Sequence, residues 1–155
     1  MIKLINFTEL TSDAKIMVLE WRSHDNINQW MFNQEVISLR KHLDYIDALH
    51  SRKDRYYFLV KNDDEAIGVI DFADIDYKNK SANIGLYAKP ELKGVGSLLM
   101  ETIISYAFNA LELDTLISEV FEENIPAIKL YKKFEFKETD KRENIIVMEL
   151  KNENR

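Results

Sequence analysis

Leu92-Lys93-Gly94-Val95-Gly96-Ser97 is the stretch from which the fold can be worked out. It follows a run of β-type residues, Ser81–Ala88, and it opens a segment with apolar residues at helical spacing, namely Leu99, Ile103, Ala107 and Leu111. The two glycines let the chain turn sharply and leave its N–H groups unshielded, and the start of a helix adds a positive dipole. The stretch predicts a strand, a pyrophosphate-binding loop and a helix, with a plain strand-to-helix turn as the alternative.

The spacing of Gly94 and Gly96 does not fit the other common phosphate-binding loops. A P-loop requires Gly-Lys-Ser/Thr after a longer loop, and the dinucleotide fingerprint requires a third glycine. Neither class of nucleotide-binding protein is therefore predicted.

The chain after this loop alternates strand and helix. Thr115–Phe121 is rich in β-branched and aromatic residues, which favours a strand. Pro126 stands where a first helical residue is expected, and it opens a helix that ends near Phe134. Residues 145–150 form the last predicted strand.

The chain before the loop begins with a short strand over residues 2–7 and continues with two helices. The first helix has its N-cap among Thr11, Ser12 and Asp13 and ends at Trp21 or Arg22. A polar, irregular piece over residues 23–35 separates it from a second helix, which Ser38 caps. The apolar face of the second helix is predicted to carry Leu39, Leu43, Ile46 and Leu49.

The middle of the chain changes to strand-like patterns. Residues 56–61 and 66–72 are β-branched and aromatic runs on either side of a polar turn, 62–65, which indicates a hairpin. Hairpin strands followed by alternating strands and helices indicate an α/β (α+β) fold, a mixed sheet with helices on both faces. The absence of repeats and of low-complexity tracts predicts that residues 1–155 form a single domain.

Composition excludes several classes of function. The chain has 155 residues, 46% hydrophobic, and a net charge of −6, which excludes a general nucleic-acid binder that neutralises phosphates. It contains no cysteine, so no disulfide, thiolate zinc site or cysteine nucleophile is expected, and a reducing, cytoplasmic compartment is favoured. No metal is predicted. No apolar run approaches 18 residues, and the N-terminus is too polar for a signal peptide, so no membrane partner is predicted.

A second motif stands about 30 residues after the glycine loop, directly behind a predicted strand. It consists of Asn124, Ala127, Leu130-Tyr131, Phe134 and Phe136. In this order and spacing, the loop and the motif resemble the GNAT acyltransferase family, whose pyrophosphate loop follows the fourth strand and whose Asn, Ala, Leu-Tyr and Phe signature follows the fifth. The motifs cover residues 66–136, and the order of elements covers the whole chain.

The resemblance implies a sheet of about seven strands whose fourth and fifth strands splay apart, with acetyl-CoA bound in the V-shaped opening. It implies that the pantetheine arm pairs with the backbone of Leu86, Tyr87 and Ala88, and that Asn124 contacts the pantetheine region, with Ala127 as a further cofactor-binding residue. The implied pyrophosphate loop is Lys93, Gly94, Val95, Gly96 and Ser97.

Two residues depart from the family pattern. Glu91 stands where the loop usually begins with Gln or Arg, and Glu135 stands where a Gly usually precedes the final aromatic residue. Because backbone amides hold most of the pyrophosphate, the first change is expected to weaken binding little. The second change affects a local turn.

Tyr131 has a chemical role in the resemblance, near the thioester sulfur. When an amine attacks the thioester, the departing thiolate needs a proton, and a phenol with a pKa near 10 can donate it at hydrogen-bond range. Tyr131 is therefore the predicted catalytic residue. The alternative is a packing aromatic on an amphipathic helix.

The acceptor side of this family is built from the N-terminal helices and the loop between them. Arg22 is suited to a bidentate contact with a diphosphate, Trp30 to stacking on a base or sugar, and His42 to hydrogen bonding a phosphate. These three residues predict a nucleotide-sugar partner. His42, beside the apolar helix face, is equally suited to a structural role.

The whole chain also resembles one subgroup of the family, in segments such as 57–60, 67–72 and 85–88. Members of that subgroup acetylate the 4-amino group of UDP-4-amino-4,6-dideoxy-N-acetyl-β-L-altrosamine in the pseudaminic acid pathway, whose product decorates flagellin. The resemblance implies this acceptor, and it is weakest over residues 73–80, a predicted wall of the acceptor pocket. An exposed sheet edge in this fold is compatible with a homodimer.

Other readings remain at this stage. The acceptor could be a protein N-terminus or a small amine, or the chain could be a non-catalytic module that binds CoA. Asp71, Asp74 and Glu119 are the candidate general bases, but an amino sugar can be partly neutral at working pH. A bridging water, or no base, is therefore expected.

Overall fold

The computed structural model describes residues 1–152, so the predicted domain end at residue 155 lies outside the described residues. Seven strands form one sheet in the order β1-β2-β3-β4-β5-β7-β6. The strands are β1 (Ile2–Asn6), β2 (Tyr56–Asn62), β3 (Glu65–Asp76), β4 (Ser81–Ala88), β5 (Thr115–Phe121), β6 (Lys137–Arg142) and β7 (Ile145–Lys151). The helices are α1 (Ser12–Ser23), α2 (Asp25–Asn28), α3 (Leu39–Ala48), α4 (Gly96–Ser105) and α5 (Ile125–Lys133).

The sheet is mixed, and its one parallel pair is the point where it opens. β4 and β5 run parallel and pair only from Ser81 to Asn83, opposite Thr115 to Ile117. The other neighbouring strands pair antiparallel over longer stretches. Beyond Asn83 the two strands part, and the predicted splay of the fourth and fifth strands is confirmed.

Apolar side chains fill both faces of the sheet, which confirms the prediction of helices on both sides. Leu99, Met100 and Ile103 of α4 belong to one buried cluster, together with Tyr131 of α5. A second cluster contains residues of α1, α2 and α3, such as Trp21. Because side chains alternate along a strand, β3 contributes to both clusters and links them.

Side-chain caps fix where three helices begin. Thr11 Oγ1 accepts a hydrogen bond from the N–H of Ala14 at 3.2 Å, and Ser38 Oγ accepts one from Lys41 at 3.2 Å. Asn124 Oδ1 accepts one from Ala127 at 3.4 Å. Each cap satisfies an N–H group that the first helical turn leaves unpaired. The predicted starts of α1 and α3 are confirmed.

Three sequence-based expectations need correction. β6 was not predicted, because each of its residues is exposed and it has no apolar alternation. α2 lies inside the piece expected to be irregular. Leu39 and Leu43 are exposed, because the inward stripe of α3 carries His42 and Ile46, continued by Leu49 directly after the helix, and the two leucines lie on its flank.

Candidate active site

A cavity of about 1210 Å³ lies where β4 and β5 part. Every residue predicted for the acetyl-CoA and acceptor sites lines this cavity except Val95, whose side chain packs against the core. The structure therefore brings the two predicted half-sites, far apart in sequence, into one continuous space.

The open edge of β4 carries backbone groups without a strand partner. The N–H of Lys89 bonds to the carbonyl of Ile67 on the β3 side at 2.8 Å. Alternate residues of an antiparallel strand face the same neighbour, so the backbone of Tyr87 also points to β3. The N–H and C=O groups of Leu86 and Ala88 point the other way, into the opening. Tyr87 lines the cavity wall, and only Leu86 and Ala88 are placed to pair with an extended ligand.

The loop before α4 has the geometry of an anion site. Gly94 has a φ of 83°, a conformation that strains other L-residues. No side chain caps α4 and its first turn holds no acidic residue, so its leading N–H groups remain available. Lys133 of α5 donates a hydrogen bond from Nζ to Ser97 Oγ at 2.7 Å. This adds a cation that sequence reasoning missed.

The start of α5 borders the same opening. The side-chain oxygen of Asn124 is engaged in the cap, so its amide N–H₂ is the part free to meet a ligand. Ala127 beside it is small and lines the cavity.

Tyr131 lies on α5 with only 6% of its surface exposed, and its ring packs 5.3 Å from that of Phe136. Burial raises the pKa of the Tyr131 hydroxyl, while the neighbouring hydroxyl of Ser118 acts in the opposite direction. Ser118 Oγ is buried beside this hydroxyl, too far away for a well-formed hydrogen bond but near enough to affect its pKa. A raised pKa keeps the phenol protonated at neutral pH, the state required of a proton donor.

The acceptor half of the cavity is walled by α1, α3 and the loop between them. Arg22 Nη2 donates to the carbonyl of Asn33 at 3.1 Å, which ties that loop to α1. Trp30 lines the cavity at the start of the loop. His42 is buried, and its Nε2 lies 2.8 Å from the carbonyl of Lys15, so its ring also joins α3 to α1. Burial lowers the pKa of His42 and favours its neutral form.

The cavity also holds groups that the sequence analysis left out or did not favour. Arg55 lines it and donates from Nη1 to the Tyr45 hydroxyl at 2.9 Å. Asp71 lines it from β3, whereas Asp74 does not line it and stands 3.8 Å from Arg55. The sequence marks Asp71 as a candidate base by its place near the end of a predicted strand. Nothing in the pattern marked Arg55.

Two absences hold for residues 1–152. No group of three or more histidine or acidic side chains is arranged to hold a metal ion. No helix in that range combines the length and apolar character needed to cross a membrane.

Comparison with known proteins decides the family. The model of the acetyltransferase (GNAT) domain matches residues 4–137. The chain belongs to the GNAT acetyltransferase family. A relative named acetyltransferase PseH, from Campylobacter jejuni serotype O:23/36 strain 81-176, is 48% identical over 136 residues, covering 88% of this chain and 85% of that protein. The PseH of strain ATCC 700819 is 46% identical over the same share of each chain.

Solved structures of this family show the same fold. The crystal structure of C. jejuni N-acetyltransferase PseH in complex with acetyl coenzyme A matches with a TM-score of 0.84 at 41% identity, covering 98% of this chain and 99% of that one. Spermidine N-acetyltransferase from Vibrio cholerae matches with a TM-score of 0.86 at 20% identity, covering 97% and 95%, which shows the shared fold alone. The predictions of a GNAT fold and of an acetyl-CoA-dependent N-acetyltransferase are confirmed.

Proposed function

We propose that this GNAT enzyme transfers an acetyl group from acetyl-CoA to the 4-amino group of UDP-4-amino-4,6-dideoxy-N-acetyl-β-L-altrosamine. The observation that carries the proposal is the 48% identity to PseH across 88% of the chain. The product would feed the formation of pseudaminic acid for flagellin glycosylation. The proposal includes one catalytic domain over residues 1–155 and a cytoplasmic location.

The acceptor half of the cavity supports a nucleotide sugar. Arg22, Trp30 and His42 line one wall and supply a cation, an aromatic plane and an imidazole. A diphosphate favours a guanidinium, and a base or sugar ring favours a flat indole face. Nε2 of His42 donates to the Lys15 carbonyl, so Nδ1 of the neutral ring is an acceptor that fits a hydroxyl or N–H group of the ligand and not a phosphate oxygen, contrary to the contact expected from the sequence.

The coenzyme half supports an extended acyl thioester. The amide and carbonyl groups of Leu86 and Ala88 would pair with the pantetheine arm, while the loop from Lys93 to Ser97 would hold the pyrophosphate through backbone N–H groups. The phenol of Tyr131 would protonate the leaving sulfur at hydrogen-bond range. Asn124 and Ala127 complete the wall beside the pantetheine.

The test is a panel of UDP-amino sugars that differ only in ring stereochemistry and in the position of the amine. Release of the CoA thiol is measured for each acceptor, with spermidine and an N-terminal peptide included. We expect the 4-amino altrosamine derivative to have the highest kcat/KM and free UDP to compete with it.

Other results would redirect the proposal. Preferred turnover of spermidine or the peptide, without competition by UDP, would contradict a nucleotide-sugar acceptor. Tight acetyl-CoA binding with no turnover on the whole panel would favour a non-catalytic module.

A further inference from the structure

We propose that Asp71 is the general base that accepts the proton lost by the attacking amine. The inference rests on the amine transfer of the proposed function but not on the identity of the sugar. It replaces the sequence-based expectation of a bridging water or no base.

The position of Asp71 is the first support. In β3, Val69 belongs to the cluster beneath α1 and α3, while Ile70 and Phe72 belong to the cluster beneath α4 and α5. Asp71 therefore shares the face of Val69 and points to the acceptor side. It lines the same cavity as Tyr131.

Gly85 makes room for this carboxylate. Asp71 and Gly85 stand opposite each other in the ladder between β3 and β4. A Cβ added at Gly85 would overlap Asp71 Oδ1 and leave the other carboxylate oxygen 3.3 Å away. The carboxylate therefore occupies space that exists only because the partner residue has no side chain, beside the backbone proposed to hold the pantetheine arm.

The carboxylate of Asp71 is partly buried and faces the cavity, where a ligand can reach it. Within residues 1–152 no backbone or side-chain group bonds to it, and Arg55 is the one charged group whose attraction offsets the cost of its burial. An acceptor amine that enters the cavity can donate a hydrogen bond to this carboxylate, because no protein group within residues 1–152 already does.

One arginine and three tyrosines surround Asp71, and its pKa lies in the neutral range. Arg55 precedes β2, Tyr57 lies on β2, Tyr87 on β4 and Tyr131 on α5. The negative charge of Asp71 contributes to the raised pKa of each of these three tyrosine hydroxyls. Burial raises the pKa of Asp71 to about 7, against the opposing effect of Arg55. A base with a pKa near the working pH is the most effective proton acceptor.

The reaction then balances. The neutral amine nitrogen forms a bond to the thioester carbon, one of its N–H protons passes to the Asp71 carboxylate, and the C–S bond breaks. The phenol of Tyr131 gives its proton to the departing sulfur, which leaves as the thiol. Transfer of the Asp71 proton back to the Tyr131 phenolate, directly or through water, restores both residues.

The other two candidate carboxylates are less suited. Asp74 does not line the cavity, and its carboxylate accepts a hydrogen bond from Asn83 Nδ2 at 3.2 Å. Glu119 lines the cavity but is exposed and paired with Arg142 at 3.5 Å. Neither is a desolvated base without a partner.

The experiment compares the wild type with Asp71→Asn, which keeps the shape beside Gly85, and with Asp64→Asn in the exposed turn between β2 and β3 as control. The acceptor is whichever amine of the panel the wild type acetylates fastest. We expect kcat of Asp71→Asn to fall by a factor of roughly 10² to 10⁴, with the acetyl-CoA Kd and the acceptor KM nearly unchanged. Asp64→Asn should match the wild type.

The pH profile separates catalysis from structure. Wild-type kcat should fall as pH drops through about 7, where the Asp71 carboxylate becomes protonated, and this inflection should be absent in Asp71→Asn. Infrared difference spectra should show a carboxyl group titrating near pH 7 in the wild type alone, a readout that needs no acceptor. Retention of wild-type kcat and profile by Asp71→Asn, or absence of that titration, would overturn the proposal. A failed panel with the titration present would contradict the proposed acceptors but not the state of Asp71.

Discussion

At the scale of single residues, the active site holds polar groups that have few protein partners. Ser118 Oγ is buried beside the Tyr131 hydroxyl, and the partly buried carboxylate of Asp71 accepts no hydrogen bond from a protein group within residues 1–152. A polar group with few protein partners costs free energy in the folded protein. That cost is consistent with a site shaped for a bound ligand.

Tyr131→Phe should separate chemistry from binding. The substitution keeps the ring that packs against Phe136 and removes the proton donor, so kcat is expected to fall by roughly 10² to 10⁴ while the acetyl-CoA Kd changes little. Thiol release gives kcat, and calorimetry gives the Kd. Tyr106→Phe, in the turn that follows α4 (Tyr106–Ala110) and lies outside the cavity, is the control. Equal turnover by Tyr131→Phe would remove the phenol from catalysis.

Asp71→Asn should raise the free energy of unfolding while it lowers catalytic activity. Burial raises the pKa of Asp71 from 3.8, its ordinary value, to about 7 in the folded state, so the cost of its ionisation is absent at pH values below 3.8 and complete above 7. The ionisation cost is at most roughly 4 kcal/mol. The side-chain amide of the variant has a desolvation cost of its own, which reduces the gain in stability. We expect a gain of about 1–3 kcal/mol at pH 8 that shrinks toward pH 4.

Urea unfolding across this pH range, with Asp64→Asn as the reference, measures the effect. A gain that does not depend on pH would mean that the carboxylate is not desolvated.

At the scale of elements, the sequence predicts best where one face is buried. β4 and β5 have the predicted bounds, because their alternating or apolar patterns are set by the core. β6 escaped prediction because it is an edge strand whose residues are all exposed, held by backbone pairing with β7. Two features of the site could not be predicted, namely the position of the Asp71 carboxylate beside Gly85 and the contact of Lys133 with Ser97. Both depend on contacts between strands and helices that are distant in sequence, which no local pattern records.

Gly94→Ala should test the glycine loop as a structural element. An alanine side chain at the Gly94 φ of 83° costs roughly 1–2 kcal/mol. If the loop relaxes to relieve this strain, the N–H groups before α4 move away from the pyrophosphate position. We expect weaker acetyl-CoA binding by calorimetry and a lower Tm. Gly96→Ala is the control for stability, since its added Cβ would stand 3.5 Å from Leu130, an ordinary contact. An unchanged Kd in Gly94→Ala would place the pyrophosphate elsewhere.

Arg22→Ala should act on the acceptor through both its charge and the loop it tethers. Loss of a charge-assisted contact to a diphosphate, worth about 1.5–3 kcal/mol, should raise the KM for the nucleotide sugar by at least tenfold, with a smaller change in kcat. Arg40→Ala, exposed on α3 and outside the cavity, controls for lost charge. An unchanged KM would move the diphosphate away from α1.

At the scale of the whole molecule, two apolar clusters on opposite faces of the sheet hold two half-sites that meet only where β4 and β5 part. The side of α4 and α5 presents the loop before α4 and Tyr131. The side of α1 and α3 presents Arg22 and His42. The parallel pairing of three residues, ending at Asn83, thus sets both the opening of the sheet and the meeting point of two ligands.

Hydrogen exchange should resolve the two half-sites in one molecule. Bound acetyl-CoA is expected to slow exchange at the unpaired amides of Leu86 and Ala88 and at residues 94–97, since it would bond to those N–H groups. UDP alone should instead slow exchange in the loop between α1 and α3, which Arg22 tethers through Asn33. β6 and β7, remote from the cavity, supply the internal reference. Protection of the α1 to α3 loop by acetyl-CoA and of residues 94–97 by UDP would reverse the assignment, because each ligand would then occupy the side proposed for the other.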